Sequence, residues 1–128
     1  MRSVIAVIVA TIAISFSDWL FFGVIFHDRY MRTPDVWRPM PESRKIAGSM
    51  VMALIGTAAF VLLARTIGVV DFRGALVVAA LVWAAASLPQ TVTNTIYVKY
   101  SSELAYTHAI GWLARLVIAA VAYVLIVG

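Results

Sequence analysis

The sequence predicts an all-α protein, a four transmembrane helix up-and-down bundle, and three observations predict it. Hydrophobic residues make up 63% of the 128 residues and charged residues only 12%, whereas a soluble domain holds about half and about a quarter. The apolar residues gather into four runs, each close to the roughly 20 residues a helix needs to cross a hydrocarbon core. The charged residues lie mostly between the runs, and the mean hydropathy is +0.97. These features predict a single integral membrane domain over 1–128, with no room expected for a second.

The first run, 4–26, is broken only by Thr11, Ser15, Ser17 and Asp18. A cleaved leader competes for its start, because Arg2 precedes an apolar stretch. Trp19, Leu20, Phe21 and Phe22 prolong the run, and a small-residue cleavage pattern is poorly formed. The polar stretch 27–45 holds five of the ten basic residues and three of the four prolines, so it reads as a loop. Span two covers 46–64, and the connector 65–73 has turn chemistry in Gly68 and Asp71. Span three covers 74–98 and contains Pro89, which removes one helical hydrogen bond and kinks the helix. A tight turn at 99–104 leads to span four, 105–127. Small residues at spacing four in span two (Ser49, Ala53, Thr57) and in span three (Ala75, Ala79) predict that spans two and three pack tightly.

The net charge of +4 comes from Lys and Arg that flank apolar runs. That placement sets topology and does not suggest nucleic-acid binding. Six of these residues (Arg29, Arg32, Arg38, Arg44, Lys45, Lys99) fall in the first and third connectors, which favours a cytoplasmic position for both. The expected location is the cell membrane, multi-pass, as in a bacterial inner membrane. The expected partners are the bilayer itself and a second copy or another membrane protein. The chain has no cysteine, which excludes disulfides, thiolate metal sites and cysteine nucleophiles.

Ionised groups at the centre of a membrane helix cost about 2.5 to 3.5 kcal/mol each, so each needs a partner or a purpose. Asp18 lies eight residues into span one from the six-charge face and Arg115 ten residues into span four, roughly 12 and 15 Å at helical rise. Gln90 reaches a similar depth in span three. Thr11, Ser15 and Asp18 share a helical stripe, as do Gln90, Asn94 and Tyr97, and His108, Trp112 and Arg115. The expectation is an intramembrane polar cluster of Asp18, Gln90, Asn94 and Arg115. In it Asp18 and Arg115 form an ion pair, and the two amides satisfy leftover donors and acceptors. Such a pair either fixes helix register or serves a transport path. Ala53 and Gly56 leave room for the Arg115 side chain.

His27 and His108 both lie near the six-charge face. Paired histidines on facing helices can ligate haem iron or another metal, but two interfacial histidines without further ligands favour no metal and no cofactor. The sequence has no nucleotide loop, hydrolase elbow or zinc-protease helix. No catalytic residue and no enzyme activity are expected.

The aromatic end of span one (Asp18-Trp19-Leu20-Phe21-Phe22-Gly23), Trp37 in the first connector, and the hairpin from Tyr97 to Gly111-Trp112 carry a family likeness. Through them the chain resembles the small bacterial four-helix membrane proteins grouped as domain of unknown function 1761. That resemblance implies four helices and no established activity. In size the chain is also similar to small multidrug transporters, whose acidic residue in span one would correspond to Asp18. Their surrounding aromatic pattern is missing, and Arg115 would neutralise a lone carboxylate. The expected role is therefore a non-enzymatic accessory or interaction subunit. The alternative is a small dimeric transporter or channel that uses the Asp18, Gln90 and Arg115 layer.

Overall fold

A computed structural model describes residues 1–32 and 34–128. Four helical stretches, Arg2–Ile25, Glu42–Thr66, Phe72–Tyr97 and Ser102–Ile126, are each long and apolar enough to cross a membrane. Their outer surface is apolar, with Ile12, Leu62, Leu81 and Leu125 all exposed. A water-soluble bundle would hide such residues. The protein is a four-helix bundle.

Two of the spans are not continuous α-helices. In the first, α1 (Arg2–Asp18) widens into a π-helical segment, Trp19–Ile25, which closes with Phe26 N–H donating to the Phe21 carbonyl at 2.8 Å. In the third, α4 (Phe72–Val82) and α5 (Leu88–Tyr97) flank a π-helical turn, Trp83–Ser87. Pro89 sits in the first turn of α5, so its missing N–H falls where the helix is already interrupted. The second span is α3 (Glu42–Thr66) and the fourth is α6 (Ser102–Ile126).

The stretch 27–45, predicted as a loop, is partly helical. His27–Met31 forms a short helix, α2, and α3 already begins at Glu42, four residues earlier than the hydropathy run. Arg44 and Lys45 are helical because charged side chains can extend past the apolar core without breaking the backbone ladder. Helix α2 folds Tyr30 back against the bundle. There Tyr30 meets Phe22 edge-on at 5.3 Å and stacks on Trp37 at 4.9 Å, while Trp37 Nε1 donates to the Tyr30 carbonyl at 2.8 Å. Thr107 Oγ1 lies 3.4 Å from the Tyr30 hydroxyl. Burial raises the Tyr30 phenol well above its ordinary pKa, and burial likewise raises that of Tyr100. Both phenols are neutral in the physiological range.

Helix α6 is the centre of the bundle and its most buried span. Lipid is as apolar as leucine, so close approach of small residues must contribute to packing, and α6 supplies Ala109, Gly111, Ala119, Ala120 and Ala122. Helix α1 lays Ala6, Ala10 and Ile14 inward at a spacing of four. The core joins Phe60, Val61 and Ala64 of α3 and Ala75 and Ala79 of α4 to Leu116, Ala119, Ala120 and Tyr123 of α6.

Spans two and three do not pack tightly against each other, contrary to what their small residues predict. Helix α3 packs on α1 and α6, and α4 packs on α6, but α3 and α4 barely touch among the described residues. Their small residues do mark close contacts, those of α3 with α1 and α6 and those of α4 with α6, whose own small residues let its neighbours approach it. The connector after α3 turns through Gly68 at φ +73°, a left-handed conformation that favours glycine. Asp71 then caps α4 by accepting from the Gly74 N–H at 2.7 Å. At this end Tyr123 donates to the Val69 carbonyl at 3.1 Å, and Arg65 donates to Ser3 at 2.9 Å.

Among the glycines that face another helical segment, close approach is tightest at Gly111, where an added Cβ would stand 2.8 Å from Phe22 Cζ. Gly111→Ala should therefore destabilise the bundle by about 1–3 kcal/mol through overpacking. A Cβ at Gly48 meets nothing within 4 Å, so Gly48→Ala should be neutral or stabilising by up to about 1 kcal/mol. Unfolding in mixed micelles measures both, and equal effects would contradict this packing.

Candidate functional site

Asp18 is the last residue of α1, just before the backbone widens. Arg115 lies one turn beyond Gly111 on α6. Its Nε donates to Asp18 Oδ1 at 2.8 Å and its Nη2 to Oδ2 at 2.7 Å, a two-pronged ion pair. The side chains are only 16% and 15% exposed. Helical side chains lean toward the N-terminus of their own helix. The two helices run in opposite directions, so Arg115 leans toward the six-charge face and Asp18 leans away from it. They meet although Arg115 starts deeper. The guanidinium also lies 4.8 Å from the Trp112 ring centroid, which adds a cation–π contact. Arg115 borders a space of about 30 Å³ that Ala53, Gly56 and Thr57 also line, room enough for a water molecule to take a remaining N–H.

The other polar residues are distributed differently from the single cluster the sequence suggests. Thr11 and Ser15 donate to their own helix, at the carbonyls of Val7 and Thr11. Gln90 Nε2 donates to Asn94 Oδ1 at 3.3 Å, and among the described residues no hydrogen bond joins either amide to Asp18 or Arg115. The two amides instead line a lateral groove. The π-helical turn accounts for the difference, because each inserted residue rotates the downstream helix by about 100° about its axis. Gln90, Asn94 and Tyr97 keep their mutual spacing, but the turn sets which neighbour their shared face meets.

The groove lies where α3 and the third span barely touch among the described residues, and its volume is about 510 Å³. Gln90, Asn94, Tyr100, His108 and Trp112 line its polar part. Gly56, Phe60, Leu63, Val82 and Leu116 line its apolar part. No lining residue carries a fixed charge, and His108 contributes an imidazole set among rings. It lies 5.4 Å from Phe22, 5.7 Å from Tyr30 and 5.9 Å from Tyr100 between ring centroids. His27 is exposed and makes none of these ring contacts. Among the described residues no group of three or more His, Asp or Glu side chains is arranged to hold a metal.

The pattern of the family described as Protein of unknown function (DUF1761) matches residues 5–124. The chain belongs to that family. No curated protein and no solved structure matches it significantly. Family membership therefore carries no activity to this chain, and the site must be read from its own geometry. Sequence reasoning missed Gly56, Ser87 and Tyr100 as groove residues. Pro89 beside the Ser87, Gln90 and Asn94 series was the available signal that span three is interrupted there.

Removing one partner of a buried pair strands the other charge, and in proteins generally this costs about 3–5 kcal/mol. Asp18→Leu or Arg115→Leu alone should destabilise the bundle on that scale, and the double replacement should recover at least half of the loss. A double-mutant cycle of unfolding in micelles measures the coupling, and additive losses would contradict a direct pair.

Proposed function

We propose that this DUF1761 protein is a non-enzymatic accessory or interaction subunit of the membrane, and that it works by holding a membrane-resident partner in the groove between α3 and the third span. The observation that carries the reading is the division of polar groups. The two intramembrane charges occupy each other, while uncharged amides and rings line an open lateral groove.

Each part of that division has a physical basis. Asp18 and Arg115 gain most from a bidentate pair and the Trp112 ring, and a charge held this way is a poor carrier of ions or protons. A groove that opens sideways between helices that barely touch faces the bilayer.

A second reading, a small dimeric transporter or channel, is favoured by one observation. Gly56, Trp112 and Leu116 border both the groove and the small space beside Arg115, so the groove runs close to the ion pair.

Two measurements separate the readings. A photo-crosslinking phenylalanine analogue at position 59, in the groove, should yield a discrete adduct in native membranes, and Gly56→Leu should abolish it. The same analogue at Leu62, which is 67% exposed, should yield only diffuse lipid adducts. Identical products at the two positions would refute a groove-held partner. In parallel, Ser87→Cys in this cysteine-free chain should resist a charged, water-soluble thiol reagent applied from either face. Rapid labelling from both faces would favour the transporter.

A further inference from the structure

The groove is polar at one end and apolar at the other, and the gradient runs along the membrane normal. Measured from the ends of α5 and α6 at the six-charge face, Asn94 and His108 lie about 5–9 Å deep, Gln90 and Trp112 about 10–15 Å, and Val82 and Leu116 about 21–22 Å. The guest of such a groove has a polar head near one face and an apolar tail toward the bilayer centre. The lining holds no Asp, Glu, Lys or Arg, so the head it matches is neutral. A charged head would leave water without an opposite charge to meet.

The polar end narrows the head group further. Gln90 and Asn94 line the groove and share one hydrogen bond between them, which leaves amide N–H donors without a partner in that pair. Unsatisfied amides in hydrocarbon are costly, so a guest that accepts from them is stabilised. Beside them stand the flat rings of Tyr100, His108 and Trp112. Amide donors beside aromatic rings suit a planar ring that carries carbonyl acceptors. The volume of about 510 Å³ falls within the roughly 300–1,000 Å³ typical of small-molecule sites. It holds such a ring and the start of a chain, and the rest of the chain passes through the open side into lipid.

We infer that the groove binds a neutral amphiphile whose head is a carbonyl-bearing ring, the chemistry of a lipid-soluble quinone. In that complex Gln90 and Asn94 donate to the ring carbonyls, the rings of His108 and Trp112 pack on the head, and the tail lies along Phe60, Val82 and Leu116. This inference rests on the proposed interaction role and names the partner for its groove.

The test uses the full chain in lipid nanodiscs, titrated with a decyl-tailed para-benzoquinone and followed by tryptophan emission, since Trp112 lines the site. The expected result is saturable quenching above the level set by partition into lipid. Gln90→Leu should weaken it at least tenfold and Gly56→Leu should abolish it. Gln90 is exposed, and a Cβ at Gly56 meets nothing within 4 Å, so both variants should fold, and unchanged unfolding midpoints check this. Neither dioleoylglycerol, a neutral lipid without a ring, nor an anionic phosphatidylglycerol should displace the quinone. Unsaturable quenching that is equal in all three proteins would overturn the inference, and displacement by dioleoylglycerol would overturn its ring-specific part. If the quinone does not bind but the position 59 adduct forms and Gly56→Leu abolishes it, the quinone assignment fails and the interaction role stands. Loss of both results would remove the two together.

Discussion

The two-pronged bond between Arg115 and Asp18 is the interaction on which the rest of the bundle depends. In a medium that solvates neither charge, α1 and α6 can sit only where the two side chains meet, which fixes both the rotation and the height of one helix against the other. Apolar packing alone could not do this, because an alanine-rich surface in lipid offers many nearly equivalent registers. With the pair formed, Ala6, Ala10 and Ile14 of α1 turn inward, and Phe22 comes to rest against Gly111. The aromatic end around Tyr30, Trp37 and His108 then closes over the same contact.

The pair leaves α6 as a common support for the other helices. Its small residues let α1, α3 and α4 approach at once, so neighbours in sequence need not be neighbours in space. The third span leans on α6 and widens into a π-helical turn before Pro89, and α3 is held by α1 and α6. The gap between them is therefore a consequence of how the bundle is supported, and the groove is part of the design of the fold.

This arrangement separates two kinds of polarity within one membrane domain. Charge is spent on assembly and is shielded by its partner. Neutral hydrogen-bonding capacity is left at the groove, beside rings and below an aromatic end. Proteins that move ions place charge on the path, whereas a protein that holds a lipid-soluble guest needs a neutral, amphipathic cleft. Membership in DUF1761 is consistent with either use, so the division of polar groups carries the functional argument.

The sequence by itself determined the number of spans, the all-α class and the need for Asp18 to find Arg115. These conclusions stem from composition, run length and the cost of an isolated charge in hydrocarbon, all of which are local or pairwise properties. The loop at 27–45 was partly legible, since prolines marked the break but not the return of Tyr30 to the bundle. Only the tertiary structure decided which helices touch and where Gln90 and Asn94 face. Small residues state that close contact occurs without naming the partner, and one extra residue in a widened turn rotates everything after it. The groove depends on both, and so could not be read from residue spacing.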